Sequence, residues 1–121
     1  MKSKIEIAQS WLKRYTGSEP DELGDWILLT NFQNYVDQFA EKFNTKIGGI
    51  GGPMTSSTNN DGLSIINFGM GSANAATVMD LLKAVQPNAA LFLGKCGGLK
   101  KKSDIGDLIL PIAAIRGEGI L

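Results

Sequence analysis

Residues 65–98 read IINFGMGSANAATVMDLLKAVQPNAALFLGKCGG, and two short apolar strands each run straight into a glycine-rich turn. The first strand, Ile65 to Phe68, ends at Gly69-Met70-Gly71-Ser72. A helix follows at once, with Ala75, Val78, Met79, Leu82 and Val85 at helical spacing. Pro87 closes it, and the second strand, Ala89 to Leu93, ends at Gly94-Lys95-Cys96-Gly97-Gly98. A strand, helix, strand unit of this length is a parallel crossover. Parallel strands put both glycine turns at their carboxyl ends, where open α/β sheets bind ligands. The expectation is an α/β fold with a small-molecule site of the nucleotide or phosphate kind.

Working outward, residues 4–15 place Ile5, Ala8, Leu12 and Tyr15 on one helical face, with Gly17 as a stop. Ser18-Glu19-Pro20-Asp21-Glu22 reads as an N-cap and acidic first turn of a short helical turn ending at Gly24. Trp26 to Leu29 predicts a buried strand, and Thr30 or Asn31 can cap a helix whose Phe32, Tyr35, Val36, Phe39 and Phe43 form a core-facing aromatic stripe. Gly48 to Pro53 reads as a flexible stretch. Asn59-Asn60-Asp61-Gly62 predicts a hairpin turn between a strand within residues 52–58 and a strand from Leu63 to Phe68. Lys100 to Gly106 reads as a polar loop before a strand from Asp107 to Ile115, in which Pro111 implies an edge, a bulge or a bend. The chain therefore divides into a helical segment, 1–24, and a sheet-and-helix segment, 25–121, of one domain.

Composition bounds the function. At 121 residues the chain is one domain's worth, at the small end for an α/β sheet with a cleft. Lys+Arg 12 balances Asp+Glu 12, so no overall field argues for nucleic acid or an anionic membrane. Cys96 is the single cysteine and there is no histidine, which rules out an internal disulfide framework and argues against zinc. Acid–base work would fall to Asp, Glu, Lys, Tyr or Cys. With no signal-like apolar run at the start and no stretch of ~20 apolar residues, the expected location is the cytoplasm.

The glycines of Gly69-x-Gly71 either bring backbone N–H groups up to an anion at a helix start or only allow close strand–helix packing. Asn74 stands where a dinucleotide fold wants a third glycine, and Gly94-Lys95 stands where it wants an acid, which argues against NAD. Gly94-Lys95-Cys96 lacks both the leading glycine and the hydroxyl of a Walker loop. Lys95 is placed either at the ligand edge or simply in solvent. Cys96 reads as a small buried residue or a lysine-activated thiol, although no histidine can complete a nucleophilic dyad. Arg116 and Glu118, just past a strand end, either reach a ligand or pair with each other.

IINFGMGSANAATVMDLL, LFLGKCGGL and GDLILPIAAIRGEG, in this order and spacing, resemble the nucleoside phosphorylase and nucleosidase superfamily over about residues 22–119, most closely its AMP nucleosidase branch. That resemblance implies a mixed, largely parallel sheet flanked by helices, assembled as a homo-oligomer, and no metal or organic cofactor. It implies hydrolysis of the N-glycosidic bond of AMP to adenine and ribose 5-phosphate, with Gly69, Met70, Gly71, Ser72, Lys95, Cys96, Gly97, Arg116 and Glu118 as substrate-binding positions.

Phosphorolytic members carry a G-D-P-x-R turn where Thr30 to Tyr35 stand, and an arginine where Phe92 stands. Without those forks for a nucleophilic phosphate, hydrolysis is favoured over phosphorolysis. Lys95, in place of a serine of many relatives, would suit a phosphate group. Relatives run to roughly twice this length, and their second half carries the Met-Glu ribose segment and the purine-protonating aspartate. The chain therefore looks like an amino-terminal half, with catalytic acid and base supplied elsewhere. A nucleoside phosphorylase and a non-catalytic oligomerising half-domain are the alternatives.

Overall fold

A computed structural model describes residues 1–117. Helix α1 spans Lys4–Thr16. Ser3 caps it, with Ser3 Oγ accepting from the Glu6 N–H at 3.2 Å and Glu6 Oε2 accepting from the Ser3 N–H at 3.1 Å. Gly17, left-handed at φ 76°, ends it, as the sequence predicts. The buried face is Ala8, Leu12 and Thr16, while Ile5 stays 44% exposed, so the face is turned slightly from the predicted one. A short 3₁₀ turn, Pro20–Glu22, leads to strand β1, Trp26–Thr30.

Helix α2, Gln33–Phe43, buries Val36 and Phe39 and packs Tyr35 against them, while Phe43 stays exposed, so the stripe faces the core only in part. Its cap differs from expectation. The N-cap is Phe32, and Thr30 Oγ1 instead accepts the Phe32 N–H at 3.2 Å, stabilising the turn before the helix. The hairpin is present as strands β2, Thr55–Thr58, and β3, Leu63–Asn67. Asn59 Oδ1 accepts from the N–H groups of Asp61 and Leu63 at 2.9 and 3.0 Å, and Gly62 takes φ 81°.

The glycine run 48–52 is anchored rather than flexible. Gly48 bridges Ser56, and the Met54 N–H donates to Tyr15 O at 2.9 Å. A side chain on Gly49 would sit 2.2 Å from Met54 O, so only glycine lets this loop lie against the end of α1.

Helix α3, Ser72–Leu81, passes into a 3₁₀ turn over Leu82–Ala84 and ends before Pro87, with Gln86 at φ 51°. Strand β4 is Ala89–Leu93. The sheet order is β2-β3-β1-β4, with β1 parallel to both β3 and β4 and β2 antiparallel to β3. The crossover through α3 therefore passes β1 before placing β4, and the sheet is mixed and largely parallel.

Side chains alternate across the sheet as the pleat requires. Ile27, Leu29, Ile66 and Phe68 pack on one side with Leu12, Val78, Leu81 and Leu82 of α1, α3 and the 3₁₀ turn. Ile65 packs on the other with Val36 and Phe39 of α2, joined by Leu28 and Leu63. β2 is attached through hydroxyls. Ser56 Oγ donates to Thr16 O at 2.7 Å, which leaves Ser18 Oγ to donate to Ser56 Oγ at 2.7 Å.

β4 is different. It is an edge strand with Leu91 and Phe92 more than half exposed. From 94 to 117 there is no helix or strand, which corrects the expected strand over 107–115. Alternating apolar residues form a strand only against a neighbour, and this segment pairs with none of the described strands. Pro111 also lacks a ladder donor.

Candidate functional site

Thr30, Asn67 and Leu93 stand level at the carboxyl ends of β1, β3 and β4. The turns leaving these three strands therefore meet at one edge. After β1 come Asn31 and Phe32, after β3 the Phe68 to Ser72 turn, and after β4 Gly94 and Lys95. The Phe68 N–H donates to Thr30 O at 3.0 Å, which carries the β1–β3 ladder one step further before the turn begins.

The turn is built by asparagines and glycines. Asn67 Oδ1 accepts the Gly69 N–H at 3.0 Å, and Asn74 Nδ2 donates to Met70 O at 3.0 Å. Gly69 has φ 84°, and Gly71, the N-cap of α3, has φ 91° and ψ 160°, a region open in practice only to glycine. A side chain on Gly71 would meet nothing within 4 Å. The glycine thus serves the backbone path rather than close strand–helix packing. No side chain caps α3, so the N–H groups of its first turn face a ligand or solvent, at the positive end of the helix dipole.

Beside this turn lies a cleft of about 440 Å³. Leu29, Phe68, Val78 and Phe92 give it apolar walls, and Asn31, Gly71 and Ser72 give it polar groups. The Phe68 and Phe92 rings are 5.9 Å apart. A groove of about 370 Å³ between α1 and α3, bordered by Trp11, Tyr15 and Lys83, lies away from the strand ends. The candidate site lies at the strand ends, where the uncapped start of α3 meets the cleft and a cation from the turn after β4 stands at the same sheet edge.

That cation is Lys95. Its Nζ rests 4.5 Å from the centre of the Phe32 ring and 5.5 Å from that of Tyr35, and these two rings meet edge to face at 5.5 Å. Lys95, itself exposed, therefore sits over the residue next to Asn31, at the carboxyl edge of the sheet. Cys96 is an exposed free thiol, not the small buried residue that the lone-cysteine argument favours, and Gly97 stands in open space. Neither borders the cleft. Arg116 lies in the exposed irregular stretch and Glu118 lies outside the described residues.

The structure thus brings Gly69 to Ser72 and Lys95 to one sheet edge, where only Gly71 and Ser72 of the expected residues border the cleft; Cys96, Gly97 and Arg116 do not border it either. Sequence reasoning missed Asn31 and Phe92 as cleft residues, though their places directly after β1 and near the end of β4 are a signal once the strands are known to be parallel. Among the described residues, no cluster of three or more His, Cys, Asp or Glu side chains could hold a metal ion, and no helix is long and apolar enough to cross a membrane.

A family model described as "Phosphorylase superfamily" matches residues 25–120. A solved structure of AMP nucleosidase from Bacteroides thetaiotaomicron VPI-5482 superposes with a TM-score of 0.87 at 52% identity, covering 98% of this chain and 49% of that one. AMP nucleosidases of Escherichia coli strains K12 and O157:H7 are each 25% identical over 154 aligned residues. Those alignments cover 98% of this chain, which spans 32% of the length of these curated relatives.

Proposed function

The chain belongs to the phosphorylase superfamily, and on that premise we propose that it forms part of the site of an AMP nucleosidase-like hydrolase. The reaction breaks the C1′–N9 bond of AMP. Water adds to an oxocarbenium-like sugar, adenine leaves with a proton on its ring nitrogen, and ribose 5-phosphate remains. Hydrolysis is favoured over phosphorolysis because Thr30 to Tyr35 and Phe92 stand where phosphorolytic relatives carry a G-D-P-x-R turn and a second arginine, so neither arginine fork for a nucleophilic phosphate is present.

The observation that carries this reading is the uncapped start of α3 opening beside an apolar cleft at the ends of three parallel strands. The N–H groups of Met70, Gly71 and Ser72 would hold oxygens of the phosphate or ribose, while Gly69, its own N–H held by Asn67, shapes the turn. Lys95 would leave the rings of Phe32 and Tyr35 to meet the phosphate, exchanging a cation–π contact for a charge-assisted hydrogen bond. Met70, with its side chain 73% exposed, would close over the sugar. Cys96 and Gly97 would line the base, and Arg116 and Glu118, the latter outside the described residues, would be further substrate-binding positions. The acid that protonates adenine and the base that activates water are not assigned to this chain. The exposed faces of β4 support assembly into an oligomer.

The test is titration with AMP, together with adenine release from AMP with and without added phosphate. AMP should bind, Lys95→Ala should weaken it about tenfold while leaving free adenine unaffected, and any release should be indifferent to phosphate. Phosphate-dependent release would replace hydrolysis with phosphorolysis. No binding of AMP to folded protein would overturn the reading.

A further inference from the structure

Asn31 is a cleft residue whose hydrogen bonding is incomplete. Its Nδ2 donates only to the Met70 thioether, at 3.7 Å, and sulfur is a weak acceptor. Its Oδ1 is shut off from solvent and has no hydrogen-bond partner among the described residues. The buried hydroxyls of Thr16, Ser18, Ser56 and Ser64, by contrast, all have partners. A buried acceptor left open in a fold that satisfies its other polar groups points to a group that arrives from outside.

We propose that Asn31 is a specificity-determining residue that hydrogen-bonds a sugar hydroxyl of the bound nucleotide. The inference rests on the nucleotide reading above. A carboxamide is neutral and offers one donor end and one acceptor end, which matches a hydroxyl, itself donor and acceptor. A phosphate offers acceptors only, and the α3 N–H groups and Lys95 suit it better. The apolar walls formed by Leu29, Phe68 and Val78 leave Asn31 and Ser72 as the polar side chains bordering the cleft. Met70 is unbranched and 73% exposed, so a ligand displaces its thioether from Asn31 at little cost. Rotation about χ2 of Asn31 then turns either end of the carboxamide toward the cleft.

The experiment is calorimetric titration of the 121-residue chain with AMP, 2′-deoxy-AMP and 3′-deoxy-AMP, using wild type, Asn31→Leu, Asn31→Asp and Lys95→Ala. Wild type should bind AMP about fivefold more tightly than one of the deoxy analogues, the worth of one neutral hydrogen bond. Asn31→Leu should bind that analogue and AMP equally, at the weaker affinity. Asn31→Asp should keep the preference, because a carboxylate still accepts from a hydroxyl; were the contact a phosphate, this variant would instead be the weakest binder of all three ligands. An Asn31→Leu protein that retains the wild-type preference, or a wild type without one, overturns the inference. If AMP binds and Lys95→Ala weakens it while Asn31 variants change nothing, only this inference fails. If AMP does not bind, the nucleotide reading fails and takes the inference with it.

Discussion

At the scale of single residues, the site depends on backbone that few side chains allow. Gly71 combines φ 91° with ψ 160° in open space, so the cost of a side chain there is conformational rather than steric. Gly71→Ala should lower stability by about 1–3 kcal/mol, read as a lower urea midpoint with an unchanged slope, and should reduce AMP affinity by displacing the first N–H groups of α3. Gly49 is glycine for the other reason, because Met54 O and Thr16 O stand where its side chain would be. The sequence separates neither case, since a G-x-G turn looks the same whether the space beside it is empty or full. Lys95 poses a similar difficulty. Its place after β4 leaves it either at the ligand edge or in solvent, and only the fold shows Phe32 and Tyr35 beneath it, from the start of α2 far earlier in the chain.

Among the elements, β3, α3 and β4 were the most legible, because apolar period and punctuation agree along that stretch. The hairpin turn was equally plain from Asn59 to Gly62. The expected strand over 107–115 is absent for a physical reason. Propensity measures how well side chains suit a pleated surface, and it does not supply the neighbouring strand whose N–H and C=O groups make one. Asn31 escaped notice because its role depends on sheet order, which puts the end of β1 between those of β3 and β4. Helix α3 presents few apolar residues to the core, chiefly Val78 and Leu81. Leu81→Ala should therefore cost about 2–5 kcal/mol and speed amide hydrogen exchange in α3 more than in α2, which hydrogen-exchange mass spectrometry would detect. Equal acceleration across both helices would show that α3 is held by other contacts.

For the molecule as a whole, the uneven distribution of apolar surface matters most. The sheet is covered on both sides around β1 and β3, whereas β4 and the stretch beyond it expose Leu91, Leu108, Leu110, Ile112 and Ile115. Surface of this kind associates. Light scattering should give a mass above the 12.9 kDa of one chain, and Leu110→Lys with Ile112→Lys should return it to the monomer without loss of helix by circular dichroism. A monomeric wild type at micromolar concentration would remove the expectation. The interior place of β1 also sets an order of events in folding. The β2–β3 hairpin is local and can close within about 1–10 μs, but the β3–α3–β4 crossover cannot pair its own two strands, because β1 lies between them. Both of these strands reach the sheet only through β1, by non-local pairings that are slower to form than the hairpin. Since the cleft takes Leu29 from β1, Phe68 from the end of β3 and Phe92 from β4, it exists only once both non-local ladders have formed, and no local piece of the chain carries it alone.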